Sequence, residues 1–171
     1  MSKLEIWLED EPRGRRLFFW MVLPALGLFF YNLILTGIIS LFILLDLDDD
    51  PVEFGIKIVS FKLPIILLGV AFIEELLFRL APLSLALYGP ENSKITDVLV
   101  MVVISSIIFG VLHGGYFNIL FQGVDGLVFC LVFLKCGGWH HCYWKAIGAS
   151  TVCHAFFNLL ISYLAYFMHG V

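Results

Sequence analysis

Apolar stretches of membrane-spanning length follow one another along the chain, separated by short polar segments. A helix needs about 20 apolar residues to cross the hydrocarbon core of a bilayer. The pattern predicts about five such spans: Leu17–Leu45, Ile58–Leu87, Val98–Phe121, Val124–Leu134 and Ala146–Met168. The fourth stretch is short, so we expect it either to be a partial or re-entrant helix or to extend into its flanks. The prediction is an all-α, polytopic membrane helical bundle.

The polar segments define the domain organisation. Residues 1–16 carry mixed charges and predict an interfacial N-terminus with a short amphipathic helix. The remaining chain shows no repeat and no linker, so residues 17–171 are predicted to form one membrane-embedded domain. The loop Lys135–Lys145 before the last span is rich in aromatic residues, which is typical of a membrane interface. Its metal-binding residue types, in a spacing unusual for zinc, are Cys136, His140, His141 and Cys142.

Composition supports an integral membrane protein. Of the 171 residues, 61% are hydrophobic and 14% are charged, whereas about half and about a quarter are usual in soluble domains. The net charge of −4 and the absence of a basic patch exclude nucleic acid as an expected partner. Two of the four cysteines lie in predicted spans and two in a loop expected to face the cytoplasm, where thiols stay reduced, so we expect no disulfides.

The distribution of basic residues predicts the orientation in the membrane. Cytoplasmic segments of membrane proteins carry an excess of Lys and Arg. An N-terminus in the cytoplasm leaves two basic residues, Lys57 and Lys62, on the opposite side. It places seven on the cytoplasmic side: Lys3, Arg13, Arg15, Arg16, Lys94, Lys135 and Lys145. We therefore expect a cytoplasmic N-terminus, in the cytoplasmic membrane of a bacterium or archaeon.

The second span carries three charges, Glu74, Glu75 and Arg79. A charge near the bilayer centre costs roughly 2.5–3.5 kcal/mol on insertion scales. Glu75 and Arg79 are four residues apart on one helix face, so they are predicted to form an ion pair. Glu74 points about 100° away around the helix and needs another explanation. Pro82, at the far end of this span, is predicted to bend or loosen the helix.

Polar residues in two further spans supply that explanation. His113 lies in the third span, and His154 and Asn158 lie on one face of the fifth. Intramembrane polar groups face the interior of a bundle or a water-filled cavity, so we expect these residues to meet Glu74 at one internal site. A carboxylate and a neutral His can deprotonate a water molecule, while another His and an Asn can stabilise an oxyanion.

Other polar and glycine positions have simpler interpretations. Asn32 and Asn118 are expected to contribute packing hydrogen bonds rather than chemistry. The Gly114–Gly115 pair is predicted to end a helix or to allow close packing.

Three motifs of this site carry a family resemblance. They are EExxxR in FIEELLFR (Phe72–Arg79), FxxxH in IIFGVLH (Ile107–His113) and HxxxN in HAFFN (His154–Asn158). Together and in this order, the chain resembles the CAAX protease and bacteriocin-processing (CPBP) family of intramembrane endopeptidases, which includes the Ras-converting enzyme. The similarity spans residues 63–163. The chain departs from the family in being short and in having a longer loop before the last motif.

The resemblance implies a function and a role for each motif residue. It assigns activation of the attacking water to Glu74 and His113 and lining of the oxyanion site to His154 and Asn158. It makes Glu75 and Arg79 supporting residues. It also implies a glutamic peptidase without a cofactor or metal, and a membrane-anchored protein substrate bearing a lipidated C-terminus or a C-terminal transmembrane sorting tail.

Alternatives remain at this point. Glu74, His113 and His154 are also a set from which a catalytic zinc site can be built. A non-catalytic member of the same architecture would serve bacteriocin immunity or bind a partner. A proton- or ion-coupled transporter would use the same residues as a relay, but the lack of an internal repeat argues against it.

Overall fold

The structure, a computed structural model, describes residues 2–46, 63–88 and 94–169, and these ranges form a helical bundle. Its helices are α1 (Lys3–Glu9), α2 (Arg15–Asp46), α3 (Leu63–Glu75), α4 (Ala81–Leu87), α5 (Lys94–Leu112), α6 (Gln122–Phe133) and α7 (Tyr143–His169). Helix α7 packs against α2, α3 and α6, while α5 packs against α4 and α6. The motif-bearing helices α3, α5 and α7 are therefore close together.

The predicted class, an all-α membrane bundle, is confirmed. Among the described residues, four ranges are long and apolar enough to cross a membrane: Arg15–Ile39, Ile95–Leu112, Tyr116–Gly138 and Tyr143–Met168. The charged second span begins, by prediction, at Ile58, and residues 58–62 lie outside the described ranges. From Leu63 to Leu87 this span is continuously helical, and its full crossing stays a prediction.

The boundary of the third predicted span is wrong. Helix α5 ends at Leu112, not near Phe121. Gly114 and Gly115 follow with φ angles of 137° and 96°, a region that glycine enters without steric cost. The Asn118 side chain donates a hydrogen bond to the His113 carbonyl at 2.6 Å and holds the turn. The interpretation of the glycine pair as a helix end is confirmed.

The short fourth span is extended by its flanks, which was one of the two predicted outcomes. A 3-10 turn, Tyr116–Ile119, precedes α6. Leu134–Gly138 follows α6 with a kink, because the φ and ψ angles of Cys136 and Gly137 are not helical. Together they form the continuous apolar range Tyr116–Gly138 of 23 residues. Its close packing on α5 is visible at Gly110, where a Cβ atom would lie 2.8 Å from the Ile119 Cα atom.

A π-helical turn, Leu76–Leu80, joins α3 to α4, so the predicted loosening near Pro82 takes this form. The Ala81 N–H donates to the Leu76 carbonyl, five residues earlier. Pro82 has no N–H to offer the Phe78 carbonyl, and the Ser105 hydroxyl of α5 donates to that carbonyl instead. Such turns occur frequently at functional sites, and this one contains Arg79.

The N-terminal segment folds back on the predicted interfacial loop. Helix α1 is capped by a reciprocal pair of contacts between Ser2 and Glu5, and Leu8 is buried in the core at this end of the bundle. Loop side chains donate hydrogen bonds to the segment: Lys135 to the Trp7 and Asp10 carbonyls, Trp139 to the Glu9 carboxylate and Lys145 to the Glu11 carboxylate. We call these contacts the N-terminal clamp.

Candidate active site

The structure brings Glu74 of α3 together with both predicted histidines. The Glu74 Oε1 atom lies 3.5 Å from His113 Nε2, and Oε2 lies 3.4 Å from His154 Nε2. One carboxylate therefore spans two imidazoles that come from different helices. The Glu74 and His113 side chains are 21% and 31% exposed, so this side of the site is open.

The ring of His113 is oriented by its own helix. Its Nδ1 atom lies 2.7 Å from the Phe109 carbonyl oxygen, and Phe109 packs against the ring with centroids 4.2 Å apart. Because a carbonyl oxygen can only accept, Nδ1 carries the proton of this hydrogen bond. In the neutral ring, Nε2 is then the basic nitrogen, and it faces Glu74.

His154 is held more tightly and lies deeper. Its Nδ1 atom is 3.0 Å from Glu75 Oε1, and its ring stacks on Phe129 with centroids 4.3 Å apart. The side chain is 2% exposed. A carboxylate that hydrogen-bonds one ring nitrogen fixes the direction of the other, so Glu75 aims His154 Nε2 at Glu74.

The predicted pairing of Glu75 with Arg79 is present inside the bundle. Arg79 Nε lies 3.5 Å from Glu75 Oε1, and both side chains are at most 1% exposed. The guanidinium also lies 4.4 Å from the Phe109 ring centroid, a cation–π distance. Glu75 thus contacts both Arg79 and His154, which places it closer to the predicted chemistry than an isolated ion pair would be.

Asn158 is the predicted site residue that forms no hydrogen bond with the cluster in the described part of the chain. It is half-buried, one turn beyond His154 on α7, and its carbonyl accepts a hydrogen bond from Ser162. Its side-chain amide forms no hydrogen bond with any of the described residues. The catalytic roles of Asn158, Glu74, His113 and His154 stay predictions.

Sequence reasoning missed Asp125, which lies on α6 and is completely buried. Its Oδ1 atom accepts a hydrogen bond from the Asn32 side chain of α2 at 2.9 Å. Asp125 is an acidic residue within the predicted fourth span. The free-energy cost of a charge in the membrane interior, which drew attention to Glu74, could also have identified Asp125. The expectation that Asn32 forms a packing hydrogen bond is met through this unexpected partner.

The loop residues considered as metal ligands have other contacts. His141 Nδ1 lies 2.8 Å from the Tyr143 hydroxyl, and His140 Nδ1 lies 3.9 Å from Glu9. Among the described residues, these loop side chains do not form a group of three that could hold a metal ion. The four cysteines are free thiols.

A comparison with known families covers all three motifs. Residues 57–160 match the family described as type II CAAX prenyl endopeptidase, Rce1-like. The matched range contains Glu74, Glu75, Arg79, His113, His154 and Asn158. No curated protein and no solved structure matches the chain.

Proposed function

The chain belongs to the Rce1-like family of type II CAAX prenyl endopeptidases, and we propose that it hydrolyses a peptide bond near the membrane face of a membrane-anchored protein. As a member of this family it is a membrane peptidase. The observation that supports the proposed mechanism is the contact of one carboxylate, Glu74, with two imidazoles. A substrate with a lipidated C-terminus fits the family, and a transmembrane sorting tail is the alternative.

In the first step, Glu74 and His113 activate a water molecule. The Glu74 carboxylate and the basic His113 Nε2 lie within 3.5 Å of each other, so a water held by both is polarised from two directions. As its oxygen attacks the carbonyl carbon of the substrate, its proton passes to this pair. The product of the step is a tetrahedral intermediate with a negatively charged oxygen.

In the second step, the oxyanion is stabilised and the peptide bond breaks. Glu75 directs His154 Nε2 toward the space beside Glu74, where a protonated Nε2 donates to the oxyanion. The Asn158 amide, which is free of other hydrogen bonds among the described residues, is the second donor in this proposal. The proton taken from water passes to the leaving nitrogen as the intermediate collapses to an acid and an amine.

The decisive test is the cleavage rate of single-residue variants. Detergent-solubilised full-length protein is incubated with a farnesylated CAAX peptide and, separately, with a peptide bearing a transmembrane tail, and the fragments are quantified by mass spectrometry. We expect Glu74→Gln and His113→Ala each to lower the rate by about 10²–10⁴-fold, the usual contribution of general acid–base catalysis. Matched controls are Glu5→Gln, which keeps its helix-capping ability, and His141→Ala.

The outcomes separate the alternatives. Cleavage that survives both substitutions contradicts the proposed mechanism. If the wild-type protein cleaves neither peptide while its biological phenotype survives Glu74→Gln, a non-catalytic, partner-binding role is favoured instead.

We further propose that the reaction needs no metal. Incubation with a chelator should leave the cleavage rate unchanged. A rate abolished by chelation and restored by zinc would instead favour the zinc-dependent version, with Glu74, His113 and His154 as the ligands.

The orientation with a cytoplasmic N-terminus is also part of the proposal. It rests on the seven-to-two distribution of basic residues between the two sides. Reporter fusions at each terminus measure it directly: with five crossings, we expect an N-terminal reporter to be cytoplasmic and a C-terminal one to be external.

A further inference from the structure

A further carboxylate, Asp125, is completely buried beside the cluster and has no place in the mechanism above. Its Oδ1 atom is held by Asn32 at 2.9 Å. Its Oδ2 atom is buried and has no hydrogen-bond partner among the described residues. Leaving a buried charge without compensation is expensive, so an opposite charge nearby would explain why the bundle retains an acid here.

Arg79 supplies that opposite charge from α3–α4. Its Nη2 atom donates to the carbonyl of Gly126, the residue after Asp125, at 3.4 Å, and Asp125 lies within electrostatic range of Arg79. The Arg79 Nη1 atom is buried and, within the described ranges, also has no hydrogen-bond partner. Glu75 alone, 3.5 Å from Nε, therefore leaves one side of the guanidinium uncompensated.

Gly126 of α6 lies in close contact with the Arg79 side chain. A Cβ atom at this position would lie 3.4 Å from Arg79 Nη2 and 3.1 Å from the Phe109 ring. The glycine lets the guanidinium rest against the backbone of α6, and the preceding residue provides the negative charge. The dipeptide Asp125–Gly126 thus places a backbone carbonyl against Arg79 Nη2 and a buried carboxylate on the adjoining residue.

We propose that Asp125 is a positioning residue for the catalytic cluster. Its carboxylate, oriented by Asn32, compensates Arg79 from α6 while Glu75 does so from α3. Arg79, in contact with both α3 and α6, keeps Glu75 against His154 Nδ1, and His154 Nε2 stays directed at Glu74. The inference rests on the proposed peptidase function, because it gives Asp125 a role in aligning that site.

The test compares loss of the charge with loss of the hydrogen bond. Asp125→Asn keeps the shape and an acceptor for Asn32, whereas Asn32→Leu removes the hydrogen bond and keeps the charge. We expect Asp125→Asn to lower kcat for the farnesylated peptide by about 10²-fold, the usual effect of misplacing a reacting group, with KM changed by less than about twofold. We expect Asn32→Leu to lower Tm in detergent, and to lower kcat less than Asp125→Asn does.

Nitrogen NMR of labelled histidine provides a readout that does not need activity. We expect the wild-type His154 Nδ1 signal, assigned with His154→Gln, to show one population with a proton on Nδ1, and Asp125→Asn to produce a second population. An Asp125→Asn protein with wild-type kcat and an unchanged His154 signal would overturn the proposal. If the wild-type protein cleaves no peptide, the proposed function fails, but the histidine spectra still decide whether Asp125 aligns His154.

Discussion

The candidate active-site cluster and the N-terminal clamp both use charged side chains from distant parts of the chain, but the contacts of these side chains differ. In the clamp, each loop cation has close acceptors: Lys145 Nζ lies 2.8 Å from Glu11 Oε1 and 3.1 Å from the Pro12 carbonyl. In the cluster, the contacts of Glu74 with the histidines and of Glu75 with Arg79 are 3.4–3.5 Å long.

The difference extends to atoms without partners. Glu75 Oε2, Arg79 Nη1 and Asp125 Oδ2 are buried in the cluster and form no hydrogen bond with the described residues. Buried polar groups in proteins are normally satisfied. The two lysines of the clamp follow that rule, although His140 Nε2 in the same loop is buried without a hydrogen-bond partner among the described residues. Saturated contacts fix one geometry, whereas groups with spare hydrogen-bonding capacity can accept a water or a substrate. We therefore expect the clamp to anchor the fold and the cluster to carry the proposed chemistry.

The largest effect on stability is expected from breaking the cluster's buried pair. Arg79→Met leaves Glu75 without a positive partner in an apolar interior, which costs about 3–5 kcal/mol for buried ion pairs of this kind. Thermal or denaturant unfolding in detergent measures it. The double variant Arg79→Met with Glu75→Gln is the control and should recover most of the loss. A single variant as stable as the wild type would show that the buried pair is not what stabilises this region.

A smaller loss is expected from the corresponding change in the clamp. Lys135→Met removes the donor to the Trp7 and Asp10 carbonyls and should cost about 1–3 kcal/mol, the range for leaving buried acceptors unsatisfied. Because the clamp is assigned to anchoring, the cleavage rate per folded molecule should not change. A tenfold fall in that rate at unchanged Tm would contradict the division between anchoring and chemistry.

An effect smaller still is expected from the backbone of the π-helical turn Leu76–Leu80, which contains Arg79. Ser105→Ala removes the hydroxyl that donates to the Phe78 carbonyl, and the expected cost is about 1 kcal/mol. If the turn also positions Arg79, kcat should fall as well, whereas Ser84→Ala, a change within α4 whose hydroxyl donates to the exposed Ala81 carbonyl, should alter neither quantity. If Ser105→Ala and Ser84→Ala have the same stability and the same kcat, the π turn does not position Arg79.

The smallest effect concerns the pH dependence of the clamp. The hydrogen bond from Lys145 holds the pKa of Glu11 below its usual value of 4.5. Because the pKa is lower in the folded state, this contact stabilises the protein above the unfolded-state pKa, and the contribution disappears as pH falls through the folded-state pKa. We expect about 0.5–1 kcal/mol from a partly exposed pair.

Tm measured from neutral to acidic pH tests this expectation. The wild-type protein should lose more stability than Glu11→Gln as the pH falls through and below 4.5. Parallel curves for the two proteins would show that the Glu11–Lys145 contact contributes nothing to the acid response.

The features that could be predicted from the sequence alone depend on short stretches of chain, namely the hydropathy of each span and the periodicity of each helix. Hydropathy is a property of short windows, so the spans and the helical class followed from it. The pairing of Glu75 with Arg79 depends only on helix periodicity and was equally accessible. The motif residues could be selected because charged and polar groups are costly in apolar spans. The Gly114–Gly115 pair predicted a helix end, although hydropathy alone carried the third span too far.

Tertiary packing decided the remainder. Asn32 and Asp125 are 93 residues apart in sequence, and nothing local indicates that α2 and α6 bring them together. The contact of Glu75 with His154, the contact of Arg79 with Gly126 and the folding of residues 7–12 onto the loop likewise depend on how helices pack side by side. Periodicity specifies which face of a helix a residue occupies, but the partner of that face is set by packing across the bundle.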